Sequence, residues 1–243
     1  MIHVKFCGIR REEDVEEVNR LQPDFAGFVF AQSRRQVTSE QAVRLKNRLK
    51  NDIQTVAVLV NMPEEQAAAL ANNGIADVLQ LHGDEDAAYI ARLKTLTDAK
   101  IIKVIRLQAP HDADGFRDAN GKSCAGEQAG RSVSGQQKNG RDFFSEGRQA
   151  DYYLFDTFVP NIYGGTGKTF SLSLLKNLPI DRPFFLAGGL DADNVADIVA
   201  ETVADERLRP FFYGVDVSGG IETDGVKDAV KMEAFIRAVR DRM

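Results

Sequence analysis

Eight short runs rich in valine, isoleucine and phenylalanine recur along the chain, each followed by a longer stretch whose apolar residues keep helical spacing. This alternation constrains the fold more than any other feature of the sequence. Strands separated by helices cannot pair through hairpins. They need crossovers, and crossovers build a parallel sheet. The runs are residues 3–7, 25–30, 54–60, 77–81, 100–105, 151–155, 183–187 and 211–217. Shared among 243 residues, each unit takes ~30, about one strand, one helix and two loops. The count predicts an α/β chain folded as a closed (β/α)8 TIM barrel, one domain over residues 1–243.

The helical stretches carry their own start signals. Residues 11–21 repeat Val15, Val18 and Leu21, and Thr38 precedes Val43, Leu45 and Leu49, both patterns suited to helices packed outside the sheet. Met62-Pro63-Glu64-Glu65 opens a helix running to Ala71, with proline where its missing N–H costs nothing and acids at the positive end of the dipole. Val230, Phe235, Ile236 and Val239 mark residues 226–243 as the closing eighth helix. One stretch departs from the rhythm. Residues 108–149 separate the fifth and sixth strands by about twice the usual distance, and 118–141 is rich in Gly, Ser, Gln and Asn. Such a composition cannot repay its ordering entropy in a core. It predicts a polar insertion, an extended and partly flexible β5-to-β6 connection, with His111 and Cys124 as solvated bystanders.

Composition removes several classes of function. A hydrophobic share of 43% and a charged share of 28% match soluble globular proteins rather than disordered chains. No apolar run approaches the ~18 residues of a membrane span, and residues 1–11 lack a signal peptide's basic start and apolar stretch. No membrane partner and a cytoplasmic location are expected. The two cysteines, Cys7 and Cys124, make no disulfide framework. The 31 basic residues are scattered, the formal charge is −5, and no footprint for nucleic acid is visible.

In a parallel barrel the loops after the strands' C-terminal ends build the active site, so the residues that close each run are the candidates. Cys7, followed by Gly8, puts a thiol at the first rim; a buried small hydrophobe is the alternative. Asp156 ends the sixth run beside aromatic residues, where it can serve as an acid or cap a turn. Arg34 and Arg35 follow the second run, and a guanidinium there can clamp a carboxylate or simply sit in solvent. His82 closes the fourth run with no second ligand at metal spacing, so it reads as a structural or ligand-contacting histidine. Gly164-Gly165-Thr166-Gly167-Lys168-Thr169 invites comparison with a nucleotide-triphosphate loop, but Ile162 stands where that loop needs glycine. A glycine-rich mobile loop is the remaining reading. Ala187-Gly188-Gly189-Leu190 and Asp216-Val217-Ser218-Gly219-Gly220 close the seventh and eighth runs, where barrels often bind phosphate through backbone N–H groups. The pair points to a phosphate ester.

Taken together, Lys5-Phe6-Cys7-Gly8-Ile9, Gln80-Leu81-His82-Gly83, Asp156, the 164–170 loop and segments 186–190 and 215–222 resemble the phosphoribosylanthranilate isomerases over nearly the whole chain. The order and spacing of six motifs make the resemblance specific. It implies an enzyme, an aldose–ketose isomerase of tryptophan biosynthesis. The reaction is the Amadori rearrangement of N-(5'-phosphoribosyl)anthranilate to 1-(2-carboxyphenylamino)-1-deoxyribulose 5-phosphate, with no metal and no cofactor. The implied partner is this small phosphoribosyl substrate, and monomer and homodimer both stay open. The resemblance makes Cys7 the general base at ribose C2 and Asp156 the general acid at the ring oxygen. It makes Arg35 the clamp for the anthranilate carboxylate. Gly188, Gly189, Ser218 and its neighbour Gly219 become the phosphate cradle, and the 164–169 loop, with Gly165 and Lys168, a flap over the substrate. His82 joins the substrate contacts, and Asp216 either meets a ribose hydroxyl or holds the eighth loop. A thiol acting near neutrality needs a lowered pKa, whereas an acid carboxyl needs a drier setting.

Two departures qualify the match. The family usually has Ser-Ser-Gly where this chain has Ser218-Gly219-Gly220, and the polar insertion is longer than usual. The first predicts weaker substrate binding rather than a lost reaction, because backbone donors survive it. Two rivals stand beside this reading. One is a histidine-pathway phosphoribosyl sugar isomerase, which resembles a pair of aspartates where this chain has Cys7 and Asp156. The other is a non-catalytic phosphate-ester-binding barrel.

Overall fold

Parallel pairing runs without a break around eight strands in the computed structural model, which describes residues 1–107, 147, 149–156, 172–175 and 178–241. The strands are β1 (His3–Cys7), β2 (Phe25–Val29), β3 (Gln54–Leu59), β4 (Val78–Leu81), β5 (Lys100–Arg106), β6 (Tyr152–Asp156), β7 (Phe184–Ala187) and β8 (Phe212–Val217). Each pairs with its sequence neighbours, and β8 closes on β1. The predicted eight-stranded barrel is therefore the observed one. The 118–141 tract with His111 and Cys124, and the 164–169 loop with Gly165 and Lys168, lie outside the described residues.

Six α-helices lie among the described residues: α1 (Glu12–Leu21), α2 (Ser39–Lys46), α3 (Glu64–Asn72), α4 (Ala87–Leu96), α5 (Val195–Ala204) and α6 (Ala229–Arg240). Their starts are chemically marked. The Thr38 side chain accepts from Gln41 N, Asp86 accepts from Tyr89 N, and Asp228 accepts from Val230 N and Lys231 N, each satisfying donors that the first helical turn leaves open. Two details differ from the sequence expectation. Residues 226–227 form β10 (Val226–Lys227), paired antiparallel with β9 (Glu222–Thr223), because Asp224 and Gly225 turn the chain at φ 52° and 78° and Asp228 then caps the helix. Val230 follows that cap on the solvent side and is 77% exposed, while Met232 joins Phe235, Ile236 and Val239 in the core. Val43 is likewise partly exposed, with Ala42 and Leu45 buried instead.

Side-chain alternation divides the core in two. Residues such as Val4, Phe6, Leu79 and Phe155 pack outward against the helices, and Val56, Ile102, Leu154 and Phe185 fill the barrel. The floor is aromatic: Phe25 meets Phe185 edge-on at 5.5 Å, Tyr213 meets Phe185 at 5.2 Å, and His3 stacks on Tyr213 at 4.2 Å. This plug shuts the N-terminal end of the barrel. Polar groups inside it can therefore communicate with solvent through the C-terminal end, where the loops lie.

Candidate active site

Strand register decides which side chains meet above the plug. On β1 the period of two sends Lys5 and Cys7 to the same inner face. Pairing sets Lys5 opposite Asp216 of β8 and Cys7 opposite Gly27 of β2. Asp156 ends β6 opposite Arg106 of β5 and Ala187 of β7. A cavity of about 700 Å³ opens over these strand ends. Cys7, Arg35, His82, Asp156, Gly188, Gly189, Asp216, Ser218 and Gly219 all line it, so every described residue to which the resemblance gives a role comes to one place, whereas Arg34 does not line it. Gly165 lies outside the described residues.

Cys7 is only 8% exposed, so the two sequence readings of this residue hold together: it is buried and it faces the cavity. Burial pushes its thiol pKa up, and the Asp216 charge adds to that. The Lys5 and Lys227 charges oppose it without cancelling it. The site thus holds the thiol above its ordinary value, the reverse of the lowered pKa expected for a base near neutrality. The Lys5 ammonium is fully buried and donates to Asp216 Oδ1 at 2.9 Å. Burial works to lower its pKa, but Asp216 and Cys7 outweigh that and move it upward. Asp216, left open between a ribose contact and a loop support, does hold a partner on β1.

Arg35 lies across Gly8, whose φ of +83° and missing Cβ leave room for the arginine stem. Its guanidinium is forked onto Glu222, with Nε 2.6 Å from Oε1 and Nη2 2.7 Å from Oε2. Arg34 Nη2 and Lys227 Nζ reach the same carboxylate at 3.0 and 2.9 Å. Burial would raise the pKa of Glu222, yet hydrogen bonds and charges from Arg35 and Lys227 prevail and hold it at about 2. Lys227 is itself pushed down by burial, with Glu222 opposing; it also donates to Ser218 O at 2.9 Å. One edge of the expected carboxylate clamp is therefore occupied by a protein carboxylate that fixes its direction.

His82 Nε2 stands 3.5 Å from Asp156 Oδ2, and its Nδ1 is 3.4 Å from Gln80 Nε2. Its backbone is pinned from both sides, since His82 N donates to Leu59 O at 2.8 Å and Arg106 donates to His82 O. Behind it, the buried Glu85 carboxylate accepts from Lys103 Nζ at 3.0 Å, Gly83 N at 2.9 Å and Asn61 N at 2.7 Å. That pair ties β5 to the loops after β3 and β4. At the opposite wall Gly188 and Gly189 have φ of 94° and 67°, and Asn194 Nδ2 donates to Gly189 O at 2.8 Å. A Cβ on Gly220 would overlap the Leu190 carbonyl, so glycine there lets the β7 and β8 loops close together. Gly219 is different. Among the described residues a Cβ there would meet only Arg35 Nη2, at 3.7 Å, which leaves room for serine.

Sequence reasoning missed Lys5, Glu222 and Lys227 as members of the site. Lys5 had a readable signal, the shared face with Cys7. The other two had none, because their contacts follow from the turn after β8.

Comparison with known proteins is consistent along the chain. A family model for N-(5'phosphoribosyl)anthranilate (PRA) isomerase matches residues 4–125 and 129–238. N-(5'-phosphoribosyl)anthranilate isomerase of Thermoanaerobacter sp. (strain X514) is 39% identical over 240 residues, covering 99% of this chain and 98% of the relative. The crystal structure of phosphoribosyl anthranilate isomerase from Thermotoga maritima superposes with a TM-score of 0.71 at 27% identity, over 99% of this chain and 100% of that one. Another, in complex with reduced 1-(o-carboxyphenylamino)-1-deoxyribulose 5-phosphate, gives a TM-score of 0.69 at 25% identity over 99% and 100% of the two chains. The chain belongs to the N-(5'-phosphoribosyl)anthranilate isomerase family.

Proposed function

We propose that this chain performs the Amadori rearrangement of N-(5'-phosphoribosyl)anthranilate with Cys7 as general base and Asp156 as general acid. The carboxyl of Asp156 gives its proton to the ribose ring oxygen as the C1–O bond breaks, and the anthranilate nitrogen lone pair forms C1=N. The Cys7 thiolate then takes the proton from C2, and the released electron pair makes the C1=C2 enolamine. Tautomerisation moves the C2 hydroxyl proton away, protonates C1 and leaves the ketose. Both transfers need a side chain within hydrogen-bond reach of its proton.

The observation that carries this reading is the shared cavity. Cys7 on β1 and Asp156 on β6, three strands apart by the shorter way round, line one space with two glycine-rich strand ends. Gly188, Gly189, Ser218 and Gly219 would hold the phosphate through main-chain donors. Arg35 would meet the anthranilate carboxylate with the donors that Glu222 leaves free. His82, beside Asp156, would orient the acid or contact the substrate. A cytoplasmic setting, where the Cys7 thiol stays reduced, suits this chemistry.

The test is a fluorescence assay of the purified chain with freshly prepared phosphoribosylanthranilate. Consumption of the substrate is the expected result, and its absence in folded protein overturns the proposal. Turnover of the histidine-pathway substrate instead would favour the rival isomerase.

A further inference from the structure

A lysine with no access to solvent, on the inner face of a barrel strand, is costly unless its charge is used. Lys5 is 0% exposed. Asp216 accounts for one of its three N–H donors. Beside it on β2, Gly27 presents no side chain. A Cβ on Gly27 would lie 3.1 Å from Cys7 Sγ and 3.3 Å from Lys5 Nζ. The sulfur and the ammonium thus flank the same small space and act directly on one another, as an opposite charge this near alters an ionisation.

We propose that Lys5 is a positioning residue for this site: its ammonium, fixed by Asp216, is the counter-charge against which the Cys7 sulfur becomes anionic. The inference rests on the reading of Cys7 as the base. Other charged groups act on Cys7 from the elements around it. Asp216 on β8 opposes the anion, and Lys227 on β10 and Arg35 in the loop after β2 favour it. Lys227 and Arg35 both donate to Glu222, as Lys5 does to Asp216, but of these cations Lys5 acts on the sulfur most strongly. β2 contributes only Gly27 opposite the thiol. Lys5 is therefore the cation that offsets the burial of the sulfur.

The measurement is the pH dependence of iodoacetamide alkylation in a Cys124→Ser background, which leaves Cys7 as the one thiol of the chain. Lys5→Met keeps the bulk of the stem and removes the charge. Because it also strands the Asp216 carboxylate, Lys5→Met/Asp216→Asn is measured beside it, with neither charge present. The alkylation midpoint of Lys5→Met should lie about 1 pH unit or more above the parent's, and that of the double variant about as far above the midpoint of Asp216→Asn alone, the reference that already lacks the charge opposing the anion. kcat at pH 7 should fall about tenfold or more and recover toward alkaline pH as the thiolate reappears. A midpoint of Lys5→Met that stays with the parent's, a midpoint of the double variant that stays with that of Asp216→Asn, or a loss of kcat equal at every pH, overturns the role. A purely structural lysine would change stability and leave the midpoint where it was. If Cys7→Ala keeps its turnover, the base assignment fails by itself, and the alkylation midpoint still reports on Lys5.

Discussion

Replacing Glu222 with glutamine keeps the shape of the side chain and removes the charge to which Arg35, Arg34 and Lys227 all donate. The Glu222 carboxyl sits at about 2 in the folded chain, against an ordinary 4.5, and its side chain is 4% exposed, so solvent screens little of the effect. A pKa unit corresponds to about 1.4 kcal/mol, which makes this carboxylate worth roughly 3 kcal/mol at pH 7. The folded value lies below the unfolded one. The contribution is therefore complete above the unfolded pKa and is lost as pH falls through the folded value. Urea unfolding of parent and Glu222→Gln should differ by roughly 3 kcal/mol at pH 7 and roughly 2 kcal/mol at pH 3.5. The gap should continue to close below that. A difference that stays constant with pH, or one under ~1 kcal/mol at pH 7, refutes the claim that this charge organises the Arg35 corner. The same variant should raise KM more than it lowers kcat, since the clamp loses the group that directs it.

Three further outcomes are expected. Arg35→Ala should raise KM at least about tenfold with a smaller change in kcat, and an unaltered KM in steady-state assays would contradict the carboxylate clamp. Gly219→Ser adds a hydroxyl where there is room for it and should lower KM by a few-fold through one more hydrogen bond near the phosphate; a raised KM would show that the room is needed for something else. Lys103→Met leaves the buried Glu85 carboxylate without its cation and should cost about 3–5 kcal/mol in urea unfolding, whereas a loss below ~1 kcal/mol would mean that the pair does not hold the β3 and β4 loops.

The strands were legible because barrel strands are buried on both faces and so read as short continuous apolar runs. Each predicted run contains its observed strand to within one or two residues. The candidate residues were legible for a related reason: the C-terminal end of every strand opens on the same mouth, so Cys7, His82, Asp156 and the two glycine pairs could be picked from the ends of the runs. The electrostatics were not. Lys5 and Asp216 are 211 residues apart and meet only because β8 closes on β1 in one register, which no local pattern announces. Burial of the Cys7 thiol, and with it the raised pKa, follows from the same closure. The Glu222 anchor depends on a hairpin turned at Asp224 and Gly225, whose second strand, Val226–Lys227, the sequence reading absorbed into the last helix. Val230 shows a smaller effect of the same kind, since the cap at Asp228 sets the helix phase and turns this residue to solvent.

The most direct check on the chemistry is the turnover number of Cys7→Ala and of Asp156→Asn at saturating substrate, each variant first shown to be folded by near-UV circular dichroism. Loss of a base or an acid should lower kcat at least about 100-fold in each. Either variant working within about threefold of the parent would mean that the proton at C2, or the one at the ring oxygen, is moved by some other group.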